Sequence, residues 1–435
     1  MPLLIILLSV CILLALSLKK INPFISLITV SVFAGLALGM NGEALVKSVE
    51  KGVGDTLGSL ALILCLGAML GKMLEMSGAI QQVSKTLIAK GGAKNIQWIV
   101  MLTGIIVGIP LFYGAGFVIL VPLVFSIATA LDVSILYVAV PMAASLSAMH
   151  GFLPPHPGPV ALASIYNASL SKTLLYGFVI AIPAVIIAGP VFSRFVKNIK
   201  PTSITKNIIK EENSNPPLFS TSLFIALMPV LLIALAAVAG NLLSPNNFIF
   251  KILQFTGQPV FALFIAVIFA VYFLGIKRKY TIDEIMKWLA SSIESIAMIM
   301  MIIAAGGAFK QVLTDSGAGK FITQSLSSAN LSPLLLAWII AAALRVTLGS
   351  ATVAGITAAG IVVPLAAATH ANPELMVLST GAGSLFFSHV NDTGFWMFKE
   401  YFGLSIKQTF LSWTIMETII SLMGLAIVLL LNMVV

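Results

Sequence analysis

Apolar residues fill this chain in long runs, at about 2–18, 23–40, 57–74, 95–112, 115–131, 134–150, 172–192, 220–243, 257–275, 288–309, 333–346, 351–369, 374–391 and 406–434. A helix that crosses a bilayer needs about 20 mostly apolar residues, and these runs meet or approach that length. The pattern predicts an all-α polytopic membrane protein with about 12–14 hydrophobic segments. Several runs are short or interrupted by Gly and Pro, which membrane depth tolerates only where the freed backbone groups face protein or a water-filled cavity. Function is expected at those breaks. The first run starts at Leu3 with no basic residue before it and is followed by Lys19 and Lys20, so it reads as a retained span rather than a cleavable signal.

Composition narrows the class. Of 435 residues, 59% are apolar and only 9% charged, with a mean hydropathy of +1.08; a soluble domain carries roughly 25% charged residues. A soluble enzyme, a nucleic-acid binder and a disordered chain are excluded. The net charge of +9 reads as loop charge that orients spans. The stretch at 193–219 holds Arg194, Lys197, Lys200, Lys206 and Lys210 against Glu211 and Glu212, and is expected on the cytoplasmic side. So are 276–287 and the basic loop at 72–94. Cys11 and Cys65 lie in apolar runs, where a small buried hydrophobe is the plain reading and a disulfide is not expected.

Shifting the chain by 239 residues lays Gly67, Leu74, Ser77, Gly78, Ala79 and Leu87 on Gly306, Leu313, Ser316, Gly317, Ala318 and Leu326. The same shift lays Ser145, Leu146 and His150 on Ser384, Leu385 and His389, and Asp55 on Glu294. One constant offset over both clusters points to a duplication. The expected division is 1–51 as N-terminal spans, 52–192 as a first repeat, 193–219 as a cytoplasmic linker, and 220–435 as linking spans and a second repeat. Counting spans places 72–94 inside and its partner at about 311–333 outside, so the two units face opposite ways. Inverted repeats with re-entrant hairpins and unwound helices near the midplane are the architecture of alternating-access transporters.

Two constellations carry candidate chemistry. In the first, Ser145, Ser147, His150, Pro154, Pro155, His156 and Pro157 interrupt an apolar run; no continuous helix contains Pro154-Pro155-His156-Pro157, because each ring removes a donor and clashes with the preceding turn. Its repeat partner is Ser388-His389-Val390-Asn391-Asp392-Thr393-Gly394. Ionisable groups at membrane depth cost about 2.5–3.5 kcal/mol each on insertion scales, so such a cluster is expected to bind or couple something. The second constellation pairs the Gly-rich stretch 108–116 with 345–355. Either a re-entrant hairpin or a junction between two full spans fits each, and a hairpin tip would bring main-chain N–H groups, Ser350 and Thr352 to an anion.

Arg345 sits alone in an apolar run, and a guanidinium holds a carboxylate through two parallel hydrogen bonds. A substrate carboxylate is the first candidate partner, and Asp392, Glu294 or a membrane face the others. Asp55 and Glu294 lie just ahead of their predicted spans and are expected behind the site rather than on substrate. For proton coupling, Asp392 is preferred over His150, His156 and His389, which suit the hydroxyls of a sugar acid together with Asn391. No metal or other cofactor is called for: four histidines without an HExxH or CxxC pattern argue against an intramembrane metalloprotease, and no enzyme is expected.

Three stretches, His150-Gly-Phe-Leu-Pro-Pro-His-Pro-Gly-Pro159, Leu344-Arg-Val-Thr-Leu-Gly-Ser-Ala-Thr-Val-Ala354 and Phe387-Ser-His-Val-Asn-Asp-Thr-Gly-Phe-Trp396, resemble the gluconate permease family of sugar-acid:proton symporters. The likeness runs from about Gly52 to the C-terminus. It implies uptake of gluconate or a similar hydroxy acid with a proton, by a multi-pass protein of a bacterial inner membrane, with the organic anion, the proton and the bilayer as partners and no nucleic acid. A homodimer is left open. Many relatives look to have an acidic residue where Gly114 stands here, which leaves the proton to Asp392 or a histidine. Sodium coupling, other organic acids such as D-serine or glycerate, and a channel are the alternative readings.

Overall fold

The computed structural model describes residues 2–19, 21–92, 95–201, 216–244, 246–318 and 332–435, and among them every regular element is a helix. Helices α1 (Pro2–Leu18) and α2 (Pro23–Ala37) lead into a long α3 (Gly42–Met76). Then come α4 (Ala79–Gly91), α5 (Ile96–Gly108), α6 (Tyr113–Ala130), the broken pair α7 (Ile135–Phe152) and α8 (Pro157–Tyr166), and α9 (Leu170–Val196). Three linking helices follow: α10 (Phe219–Leu242), α11 (Phe248–Thr256) and α12 (Pro259–Arg278). A second series closes the chain, with α13 (Ile282–Asp315), α14 (Pro333–Leu348), α15 (Ala351–Ala368), α16 (Pro373–Leu385), α17 (Thr393–Tyr401) and α18 (Ile406–Leu431).

Among the described residues, nine helices are long and apolar enough to cross a membrane, α7 and α8 counting as one. This is a polytopic all-α membrane protein. Helices α5 and α14 have 13 and 16 residues; at 1.5 Å per residue they reach about 20 and about 24 Å, short of the roughly 30 Å hydrocarbon core. Of the two parses open to the Gly-rich stretches, these lengths favour hairpins, α5 with α6 and α14 with α15.

Helices α3 and α13 have 35 and 34 residues, well beyond the runs 57–74 and 288–309. Asp55 and Glu294 therefore lie inside helices rather than ahead of them. The early turns of α3 are amphipathic: Glu43, Lys47 and Lys51 are exposed while Leu45, Ser48 and Gly52 are buried, and an apolar-run criterion cannot register a stripe. The expected loop at 72–94 is also mostly helical for this reason, with Ile80, Val83 and Ser84 buried on one face of α4. The turn between α3 and α4 needs Gly78, at φ +79°, and Gly317 after α13 repeats it at φ +74°. These glycines supply the left-handed residue that closes a helix. Of the other proposed repeat partners, Leu326 lies outside the described residues, as do Lys206, Lys210, Glu211 and Glu212 of the basic stretch.

The two long helices run antiparallel against each other. Ser48 near the start of α3 donates to Asp315 at the end of α13 (2.6 Å), and Cys65 further along α3 meets Met300 further back along α13 (3.9 Å). Helix α2 lies against α13 through Leu27 and Val30 on one side and Phe309 and Leu313 on the other, and α1 packs on α2 with Leu13 in the same cluster. The centre belongs to α7 and α16, which are buried on almost every face, as helices apolar all round must be. Each ends in a break: residues 153–156 after α7 and 386–392 after α16.

Candidate functional site

Arg345, one turn before the end of α14, is 3% exposed. Its guanidinium donates through Nη1 to the Gly349 carbonyl and through Nη2 to Asp392 Oδ2, while Nε–H is buried without a partner. Asp392 comes from the break after α16 and caps the N-terminus of α17, its Oδ1 accepting from the Gly394 amide (2.9 Å). Ser388 also donates to Asp392 Oδ2. Ser388 is held in turn by α18: the Trp413 indole N–H donates to its hydroxyl (2.8 Å) and Thr414 donates to its carbonyl (2.6 Å).

The hairpin tip and this break touch backbone to backbone. Gly349 has φ +76°, and a Cβ there would collide with the Asn391 carbonyl. His389 and Asn391 both donate to the Val346 carbonyl, at 3.0 and 2.8 Å. These two residues thus hold the break against α14, and Asn391 is exposed. Ser350 is the N-cap of α15, accepting from the Val353 amide (3.4 Å).

A cavity of about 280 Å³ opens beside this pair, lined by His150, Gly158, Pro159, Ala351, Thr352 and Ser384 among others. Gly158 and Pro159 lie in the first turn of α8, and Ala351 and Thr352 in the first turn of α15. Two helix N-termini, each the positive end of a dipole, therefore meet at one cavity, α8 offering the Gly158 N–H between two prolines and α15 those of Ala351 and Thr352, with Arg345 in electrostatic range of His150.

The histidine pair has one consistent proton arrangement. His156 is 1% exposed, and its Nε2–H donates to the Gly108 carbonyl (2.7 Å). Its Nδ1 then accepts from His150 Nδ1–H, 3.4 Å away. A neutral imidazole carries one donor and one acceptor, so His150 keeps Nε2 free to accept a hydroxyl proton. His156 braces His150 against the tip of the first hairpin and does not line the cavity.

Asp55 and Glu294 are not brought to this site. Both are exposed, and Asp55 pairs with Lys51 one turn earlier in α3. Two residues the sequence reading passed over are brought near it: Glu417 of α18, 1% exposed with Oε1 unpartnered, and Tyr113 of α6, whose buried hydroxyl has no partner either. Glu417 could have been found, since it is the lone acid in the 406–434 run. On a further side, α3 and α13 frame a larger polar cavity of about 580 Å³, with Lys72, Glu75, Ser291, Ser292 and Ser295 facing the tip residues Pro110 and Phe112.

Comparison with known proteins gives one answer along the whole chain. The description "GntP family permease" matches residues 1–434. A high-affinity gluconate transporter of Escherichia coli (strain K12) is 52% identical, with all of both chains aligned. An L-idonate transporter of the Gnt-II system from the same organism is 50% identical over 99% of each chain. A gluconate permease of Bacillus subtilis (strain 168) is 46% identical over the full length of both. Among solved structures, the YdaH transporter of Alcanivorax borkumensis superposes with a TM-score of 0.69 over 95% of this chain and 98% of its own, at 14% identity, which establishes a shared fold.

Proposed function

Since the chain belongs to the GntP family of permeases and is a multi-pass membrane transport protein, we propose that it takes up gluconate or a closely related sugar acid together with a proton. The setting we propose is a bacterial inner (plasma) membrane, since the relatives named above are bacterial. One observation carries the reading: two helix N-termini meet at a single small cavity lined by His150, and a buried arginine with a spare N–H stands in electrostatic range of that histidine. That is a site for one carboxylate. The substrate's carboxylate meets Arg345 and the first turn of α15, with Thr352 and Ser350 at its side. Its hydroxyls meet His150 Nε2 and Ser384, which are an acceptor and a small polar contact at a distance from the charge.

The Arg345–Asp392 pair explains why a proton should accompany the anion. Bringing a second carboxylate to one guanidinium leaves a net negative charge in a low-dielectric site, which is costly to move across a membrane. Uptake of one proton restores neutrality. Alternating access is supported by the helix lengths, since α3, α5, α6, α8 and α9 are matched by α13, α14, α15, α17 and α18. The antiparallel pairing of α3 with α13 is what two inverted copies of one unit require. In this scheme the Lys72 cavity is a vestibule on one side of the first hairpin.

The test is accumulation of radiolabelled gluconate in proteoliposomes under an imposed acid-outside gradient. Saturable uptake above the equilibrium level is expected, with alkalinisation outside. Equilibration without accumulation would indicate a channel, and dependence on Na⁺ rather than on the pH gradient would remove the proton. Competition by L-idonate, named for one relative, orders the two substrates.

A further inference from the structure

We infer that Glu417, rather than Asp392, is the group that binds the coupling proton. This rests on the proton-coupled reading above and names the residue that performs it. Asp392 is occupied as a carboxylate on every side: Arg345 and Ser388 donate to one oxygen and the Gly394 amide to the other. All three bonds occupy acceptor positions of the carboxyl, and the last of them caps α17. A proton arriving there would break the site that receives the substrate.

Glu417 has the opposite surroundings. It lies within α18, 1% exposed, with Oε1 bonded to nothing and Ser147 of α7 as the hydroxyl within hydrogen-bonding reach of its carboxyl. The Tyr113 hydroxyl of α6 stands in its electrostatic range, buried and also unpartnered. The charged groups in range are Arg345 of α14 and Asp392 of the break, and they are spent on each other. No ion pair to Glu417 occurs among the described residues. An ionised carboxylate buried without a cation is far more costly than the neutral acid, and the acid O–H needs one acceptor, which Ser147 supplies.

The link to substrate is electrostatic. Arg345 is the cation in electrostatic range of Glu417, and a substrate carboxylate beside Arg345 adds a negative charge that a proton on Glu417 offsets. Anion and proton then favour each other's binding by the same free energy, as linkage requires. The proton enters from the outer face, resides on a Glu417 carboxyl oxygen through the reorientation, and leaves to cytoplasmic water once the anion has gone.

The experiment compares wild type with Glu417→Gln in proteoliposomes. The variant should retain [¹⁴C]gluconate counterflow within about threefold, while accumulation driven by the pH gradient falls at least about tenfold and gluconate-induced alkalinisation disappears. Undiminished accumulation and alkalinisation by Glu417→Gln overturns the assignment and leaves the transport reading intact. Absence of both in the wild type removes the proton-coupled reading itself. Should the variant fail to fold, wild-type protein treated with dicyclohexylcarbodiimide, which attacks protonated carboxyls in apolar surroundings, decides the matter by peptide mapping. Label on Glu417 is the expected result; label on Asp392 with Glu417 spared overturns it.

Discussion

Between α7 and α8 the chain interrupts a buried helix with Pro154 and Pro155 and leaves two histidines at the gap; between α16 and α17 it does so with Ser388, His389, Asn391 and Asp392. On the proposed repeat the two gaps follow corresponding helices, yet they solve the backbone problem differently. Prolines carry no N–H, so the first gap has fewer donors to satisfy. The second satisfies its donors with side chains, Asp392 capping α17 and Asn391 reaching back to α14. The chemistry differs as well. One gap presents a neutral imidazole, the other an ion pair. A carrier for a single negative charge has use for one cationic pole, and under the proposed function the difference between the gaps supplies it.

The sharpest way to break that asymmetry is Arg345→Ala. Truncating one partner of a buried, hydrogen-bonded charge pair costs about 2–5 kcal/mol, so gluconate uptake per unit of membrane-inserted protein should fall at least about 30-fold; wild-type uptake would dismiss the charged pole. Next comes the contact between hairpin and gap. Gly349→Ala places a Cβ against the Asn391 carbonyl at a positive φ, a strain of roughly 1–3 kcal/mol, and a lowered unfolding temperature in detergent is the readout.

The neutral pole is expected to matter less. His150→Gln or Thr352→Val each removes about one hydrogen bond, worth roughly 0.5–1.5 kcal/mol, and should raise the KM for gluconate by about 3–10-fold with the maximal rate nearly kept. A collapse of the rate instead would move His150 from substrate contact to coupling. Asp55→Asn and Glu294→Gln should change uptake by less than about twofold, because exposed ion pairs contribute little; a larger loss would place these residues in the transport path.

Much of the candidate site was legible because the membrane makes local sequence expensive to ignore. Arg345 and the Ser388–Asp392 cluster stand out in apolar surroundings, and Pro154-Pro155 can only unwind. The histidines were a harder case. All three looked alike as polar residues at a break, but His156 is a brace for His150, and His389 is turned to the Val346 carbonyl. Which imidazole faces a cavity depends on what packs behind it. Glu417 was legible on the same ground as Arg345, as the lone acid of its apolar run, but with Ile415 and Met416 before it and Thr418 after it it carries no motif to say what it faces.

By itself the sequence determined the class of fold, the places where helices must stop, the shared Gly78 and Gly317 turns, and the presence of one arginine within an apolar run. Each is a consequence of covalent geometry or of transfer out of water, and neighbours within a few residues suffice to decide it. Tertiary structure alone decided that Arg345 meets Asp392 across 47 residues, that α8 and α15 point their N-termini into one cavity, and that Glu417 is left without a cation. Charge and hydrogen-bond energies act over a few ångströms in space, and distance along the chain says almost nothing about them.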